Sequence, residues 1–180
     1  MRFLEKLYLG ISVQQWLITA AIIVVSFVVL TILLKFVTNR LRKFARTTET
    51  QVDDLIVELL GRTKVLFLLI LAVYLGSLGV TLPRPTLRVL NIALVIVSLL
   101  QAGLWGNAII SFVLHRTVRR RMQEDAASAT MLTALGFVSR LVFWSVIVLL
   151  VLDNVGVNIT GLAAGLGIGG IAVALALQNV

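Results

Sequence analysis

The sequence predicts an all-α integral membrane protein with five transmembrane helices. Three observations carry that reading. Hydrophobic side chains make up 59% of the 180 residues and charged ones 13%, for a mean hydropathy of +1.06, well above the level of a soluble domain. The apolar residues gather into five long segments, each about the length of a membrane-spanning helix. The formal net charge of +8 sits in short basic runs beside those segments, which reads as membrane topology rather than nucleic-acid binding. Cysteine is absent, which excludes disulfide staples, Cys-ligated zinc, iron–sulfur clusters and thiol catalysis.

Residues 1–38 hold an N-terminal segment and the first span. Arg2 and Lys6 precede an apolar stretch, as in a signal peptide. That stretch, residues 16–37, is about 33 Å long as a helix, too long for a signal core, and no small-residue cleavage site follows it. Trp16 fits an interfacial aromatic belt.

Residues 39–64 form a cytoplasmic connection. In TQVDDLIVELL, residues Val52, Leu55, Ile56, Leu59 and Leu60 recur at helical spacing, and Thr50 with Asp53 resembles a capping box. An amphipathic helix along the inner membrane surface is expected. Asp53 and Asp54 are adjacent, so on a helix they point about 100° apart. With no His or third carboxylate to join them, they read as a solvated helix start rather than a metal or catalytic dyad.

Residues 65–114 carry the second and third spans, over 65–82 and 87–114, joined by a turn containing Pro83, Arg84 and Pro85. Residues 115–131 are predicted as a basic cytoplasmic loop, where Arg116, Arg119, Arg120 and Arg121 meet lipid headgroups and His115 is an interfacial side chain. Residues 132–153 form the fourth span. Arg140 lies about two turns into it, a depth from which its stem can snorkel to the inner headgroups. Trp105 and Trp144 fall inside spans and are expected to pack on lipid or neighbouring helices.

Residues 154–180 hold an outer turn and the last helix. The basic runs over 40–46, 62–64 and 116–121 lie on one side and only Arg2, Lys6, Arg84 and Arg88 on the other, so the N-terminus is expected outside and the C-terminus in the cytoplasm. The last segment, GLAAGLGIGGIAVALALQNV, carries no charge. Gly165, Gly167 and Gly170 satisfy the spacing G-x-G-x-x-G, but neither the strand before it nor the acidic residue after it that a dinucleotide site needs is present. Gly161, Gly165 and Gly169 also satisfy the small-residue spacing that lets membrane helices approach closely.

At 100° per residue this helix resolves into four faces. Gly161, Gly165, Gly169, Ala172 and Ala176 form one small-residue stripe; Ala163, Gly167, Gly170 and Ala174 form a second, roughly 160° away. Leu162, Leu166, Val173 and Leu177 lie between them on one side, and Ile168, Ile171, Leu175 and Gln178 on the other. Two small stripes call for close neighbours on both flanks. A bundle could supply two different helices, and the glycines would also serve a tightly packed monomeric scaffold. A ring of identical copies supplies both neighbours at once. In that ring Gln178 selects the face turned to a wet axis, so Ile168, Ile171 and Leu175 line it and can form an apolar constriction.

Residues 151–179, VLDNVGVNITGLAAGLGIGGIAVALALQN, resemble the approach to and first half of the pore helix of the mechanosensitive channels of small conductance, the MscS-like family. The segments LDNVGVN, GLGIGGIA and ALQN carry the resemblance. The Thr-x-x-Asp-Asp element at 50–54 is similar to members with extra N-terminal helices. The resemblance implies a homoheptamer in the bacterial inner membrane whose inner ring is the last helix, gated by rings of Ile171 and Leu175, with Ile168 and Gln178 also lining the pore. It implies a tension-sensing paddle built from the third and fourth spans, and passage of ions and small osmolytes on hypoosmotic shock. Asn179 stands where some members have a kink-forming glycine, which leaves the hinge position open. Such channels continue into a cytoplasmic vestibule domain absent from these 180 residues, so the chain is expected to belong to a longer one.

A secondary transporter is the alternative, but it calls for ionisable groups at the membrane midplane and repeat-related halves. A non-conducting scaffold subunit is the third reading. No nucleophile–base pair or metal cluster is visible in the sequence, so no enzyme, metal or cofactor is expected. The partners expected are copies of the chain, lipids and permeant ions or osmolytes, not nucleic acid.

Overall fold

A computed structural model describes residues 7–8, 11–45, 51–80, 82–121 and 126–178. A two-residue antiparallel pair, β1 (Leu7–Tyr8) and β2 (Ile11–Ser12), places Leu7 opposite Ser12 and Tyr8 opposite Ile11. It is too short to leave a periodic signal in the sequence. Six helices follow: α1 (Val13–Ala45), α2 (Gln51–Gly61), α3 (Val65–Ser77), α4 (Arg84–Arg121), α5 (Ala126–Val155) and α6 (Thr160–Leu177).

Among the described residues three helices are long and apolar enough to cross a membrane, over Val13–Lys43, Arg84–His115 and Met131–Val155. The expected second span contracts to the 13 residues of α3, about 20 Å. Its end has a local cause. Ser77 Oγ donates to the Tyr74 carbonyl at 2.6 Å, and the N–H groups of Leu78, Gly79 and Val80 donate to the carbonyls of Leu75, Gly76 and Ser77. These three-residue bonds tighten the last turn and stop the helix.

The other helices outrun their apolar runs. α1 continues past Val37 to Ala45, so the connection expected over 39–64 begins as helix. α4 starts at Arg84, with Pro85 in its first turn, where a missing N–H costs nothing. It then continues through Arg121, and α5 is helical from Ala126. Most of the stretch expected as a loop over 115–131 is therefore helix, because straight-chain basic residues are good helix formers once a helix is under way. The amphipathic helix expected after Thr50 is α2, with Asp53 and Asp54 in its first turn; Thr50 lies outside the described residues.

The packing is sequential. α1 rests on α2 and α3, α3 on α4, and α4 on α5. Small residues allow the close approaches: a Cβ at Gly76 would collide with Ile23 of α1, and one at Gly106 with the Phe143 ring of α5. Gly103 faces Trp144 across the same seam, and Gly136 faces Leu114. The Trp105 ring meets Phe67 of α3 edge to face at 6.3 Å. Both interior tryptophans therefore pack on neighbouring helices.

Several polar groups inside the bundle find partners on the backbone. Thr19, Thr31 and Thr38 of α1 each donate to the carbonyl four residues earlier. Gln101, 2% exposed, accepts the Lys64 N–H at 2.8 Å and donates to the Arg62 carbonyl at 3.4 Å. Lys64 precedes α3, whose start has no side-chain cap of its own. One amide on α4 thus closes the α2–α3 junction.

Candidate functional site

The approach to α6 is fixed by two backbone devices. α5 ends in a Schellman motif: the Val157 N–H donates to the Leu152 carbonyl at 3.0 Å, and the Gly156 N–H to the Asp153 carbonyl at 2.9 Å. That closure needs a left-handed residue, and Gly156 supplies it with φ of 97°. Asn158 Oδ1 then accepts the Thr160 N–H at 3.0 Å, an Asx-type start that satisfies one of the free donors of α6. Neither role was read from the sequence, where LDNVGVN served only as a resemblance. A glycine directly after an apolar helical run is nonetheless a C-terminal signal.

α6 is set apart from the bundle. Its described side chains from Thr160 to Ala176 are all exposed, and among the described residues none of the other helices packs extensively along it. Beside α5 runs a groove of about 460 Å³, lined by Trp144, Val148 and Leu152 of α5 and closed by Leu162 and Leu166 of α6. Leu162 and Leu166 are 49% and 52% exposed, whereas Ile168, Ile171 and Leu175 are 71%, 64% and 62% exposed. On a helix Ile171 and Leu175 lie roughly 140° and 180° from Leu166. They are the face turned away from α5. Gln178 caps the C-terminal end through its N–H to Leu175 O at 3.3 Å, and its side chain is exposed.

Glycines inside the bundle and glycines of α6 stand in different surroundings. Gly76, Gly79, Gly103, Gly106 and Gly136 each meet a side chain of another helix in this chain, while Gly161, Gly165, Gly167, Gly169 and Gly170, like Gly61 at the end of α2 and Gly156 in the turn, have nothing within 4 Å of where a Cβ would stand. Ala172, Ala174 and Ala176 continue the same open flanks. Among the described residues, the glycines of the small stripes of α6 have no neighbour to fit.

Arg140 turns toward α4, where its guanidinium donates to Ser111 Oγ at 3.1 Å. Arg116, Arg119, Arg120 and Arg121 lie in the last turns of α4, and their side chains lie outside what the structure describes. His115 is exposed, with Nδ1 2.7 Å from the Ser111 carbonyl. Among the described residues no group of three His, Cys, Asp or Glu is placed to hold a metal ion.

Residues 137–178, from the body of α5 through Gln178, match the family model described as mechanosensitive ion channel, transmembrane helices 2/3. This segment is similar to the transmembrane helices of mechanosensitive ion channels. Over 74 residues, 41% of the chain, the sequence is 42% identical to the large-conductance mechanosensitive channel MscMJLR of Methanocaldococcus jannaschii. That stretch covers 20% of the relative's length. No solved structure matches the chain. The matched segment contains the whole α5–α6 turn, the groove beside it and both open glycine flanks. The α1–α3 bundle lies outside the family model's match.

Proposed function

We propose that the chain is the membrane part of a tension-gated ion channel, a homoheptamer in which α6 lines the pore. The observation that carries this reading is the contrast between the filled glycines of the bundle and the open glycines of α6. A glycine in place of alanine costs a helix about 1 kcal/mol in water, and five of them with no neighbour in the chain make sense where another copy fills the gap. With the Leu162 and Leu166 face bordering the groove beside α5, the two small flanks meet adjacent copies and the remaining face looks down the axis. Ile171 and Leu175 then form two successive apolar rings that dewet the closed pore, with Ile168 and Gln178 lining it further. No charged side chain stands on that face, so selectivity among ions and small osmolytes is weak.

In this reading α3 and α6 join the three long spans to give five crossings of a bacterial inner membrane. The short α3 is accommodated by local thinning and by Lys64 reaching to the interface. The N-terminus lies outside and the C-terminus in the cytoplasm. α4 and α5 form the paddle: tension favours the state of larger in-plane area, and the paddle passes that bias through the Gly156 turn to α6. The channel then opens on hypoosmotic shock. The test is patch recording of the full-length protein carrying Ile171→Ser or Leu175→Ser. Each is expected to lower the opening tension or to conduct without tension; unaltered thresholds in both would remove these residues from the gate.

A further inference from the structure

We infer that a hollow between α1 and α4, beside the end of α3, holds the acyl chain of a membrane lipid. Thr19 and Ile23 of α1, Val73 and Ser77 of α3, and Leu90 and Ala93 of α4 line a cavity of about 290 Å³. Three helices build it, and part of its wall is interior to the bundle: Thr19 is 8% exposed and Ser77 4%. The packing explains the opening. α1 rests on α3 and α3 on α4, so α3 holds the two long helices apart, and it ends at Ser77. Gly76, one residue earlier, abuts Ile23 and the Thr19 carbonyl of α1. From that level the wall continues along α1 to Trp16 and along α4 to Thr86. Ile23 to Trp16 and Ala93 to Thr86 each rise about 10 Å, past the last turn of α3.

Depth and chemistry assign the occupant. α1 and α4 are both long and apolar enough to cross a membrane. With Arg84 at the membrane edge, Thr86 to Ala93 lie about 3 to 14 Å inside it, within one leaflet of a hydrocarbon core about 30 Å thick. Acyl chains are the solvent at that depth. No charged side chain lines the hollow. The hydroxyl donors of its two most buried residues are taken within their own helices, Thr19 Oγ1 by the Gln15 carbonyl at 2.8 Å and Ser77 Oγ by the Tyr74 carbonyl at 2.6 Å. Such walls offer few partners to a water molecule. A helix about 10 Å across fills a volume of this size in about one turn, so a second protein segment would have to end inside it. An acyl chain is narrow enough to enter lengthwise, and it gains dispersion contacts with Ile23, Val73 and Leu90 that an unfilled gap forfeits.

This inference rests on α1 and α4 crossing a membrane and not on the channel reading, and it is tested without gating. The full-length protein is reconstituted into phosphatidylcholine vesicles that contain phosphatidylcholine with a diazirine midway along one acyl chain. After illumination, labelled residues are mapped by mass spectrometry. Ser77, though buried, is expected to carry several-fold more label than Ala108, which is buried away from the hollow. Ala93→Leu narrows the hollow and should lower the label at Val73 and Ser77 several-fold, while Val142, exposed on α5, is labelled as before. Leu90→Ala widens it and should raise the label at Ser77. Label at Ser77 no higher than at Ala108, or label indifferent to both substitutions in a protein of unaltered helicity, overturns the inference. A lipid with its diazirine in the headgroup that labels Ser77 as strongly would also overturn it, by assigning the hollow to a headgroup.

Discussion

The guanidinium of Arg140, on α5, donates to the hydroxyl of Ser111, on α4, at 3.1 Å, and that hydroxyl in turn donates to the Asn107 carbonyl at 2.8 Å. The pair bridges α4 and α5, and Arg140 Nε is buried without a partner. Ser111→Ala would leave a further donor of a charged group unpaired, a cost of about 1–3 kcal/mol. Arg140→Leu removes the charge together with its requirement. We expect Ser111→Ala to lower the thermal midpoint in detergent, and the double variant Ser111→Ala/Arg140→Leu to be no less stable than Ser111→Ala alone. A double-mutant cycle with no coupling between the two positions would dismiss the bridge.

Glycines in the two halves of the molecule should respond differently to the same enlargement. Gly106→Val drives a side chain into the Phe143 ring, and overpacking of that kind costs about 1–3 kcal/mol. The damage belongs to the single chain and should show as a lower melting midpoint whatever the oligomeric state. Gly165→Val meets open space in the chain. Its expected effect is on assembly: native mass spectrometry should show fewer or altered oligomers, while helicity by circular dichroism is retained. A Gly165→Val protein that assembles and gates as the parent does would contradict the close packing of α6 on a second copy.

Gln101 provides a third test. It stands on α4, yet it serves the junction of α2 and α3 by accepting from Lys64 N–H and donating to Arg62 O. Gln101→Leu keeps the volume and strands both backbone groups in a buried site, for about 1–3 kcal/mol. Gln101→Glu keeps the acceptor and loses the donor, so it should fall between the parent and Gln101→Leu. Hydrogen exchange of the Lys64 and Phe67 amides is the local measure, and protection unchanged in Gln101→Leu would show that the junction holds without the clamp.

These contacts mark what the sequence alone could express. Periodicity and length carry α1, α4 and α5, because a long apolar run has few alternatives in lipid. Apolar length alone overstates α3, since Ser77 is compatible with an apolar helix and ends it through its hydroxyl and the following turn bonds. Hydropathy also ends α4 at Leu114, where the basic residues begin, while the helical backbone continues to Arg121. The division of α6 into faces follows from 100° arithmetic, and Leu162 and Leu166, which border the groove beside α5, lie on the side that arithmetic separates from Ile171 and Leu175. Gln101 and the Arg140–Ser111 bridge were out of reach for a different reason. Each joins residues 29 or more positions apart, and nothing local to either partner announces the other.

The turn before α6 carries the last prediction. Gly156 has φ of 97°, a conformation in which an L side chain costs about 1 kcal/mol or more. Gly156→Ala has open space around its new methyl, so the strain is purely backbone. The chain can relieve it only by opening the Val157–Leu152 and Gly156–Asp153 bonds that close α5. Opening them frees the direction of α6 relative to the Leu162–Leu166 groove, and the link from paddle to pore helix loosens. Patch recording of the full-length Gly156→Ala protein should therefore show a shifted opening tension with conductance unchanged, since no pore-facing residue is altered. Asn158→Ala, which removes only the Asx bond to Thr160, should shift it less. If Gly156→Ala changes unitary conductance and leaves the tension in place, the turn does not transmit the force.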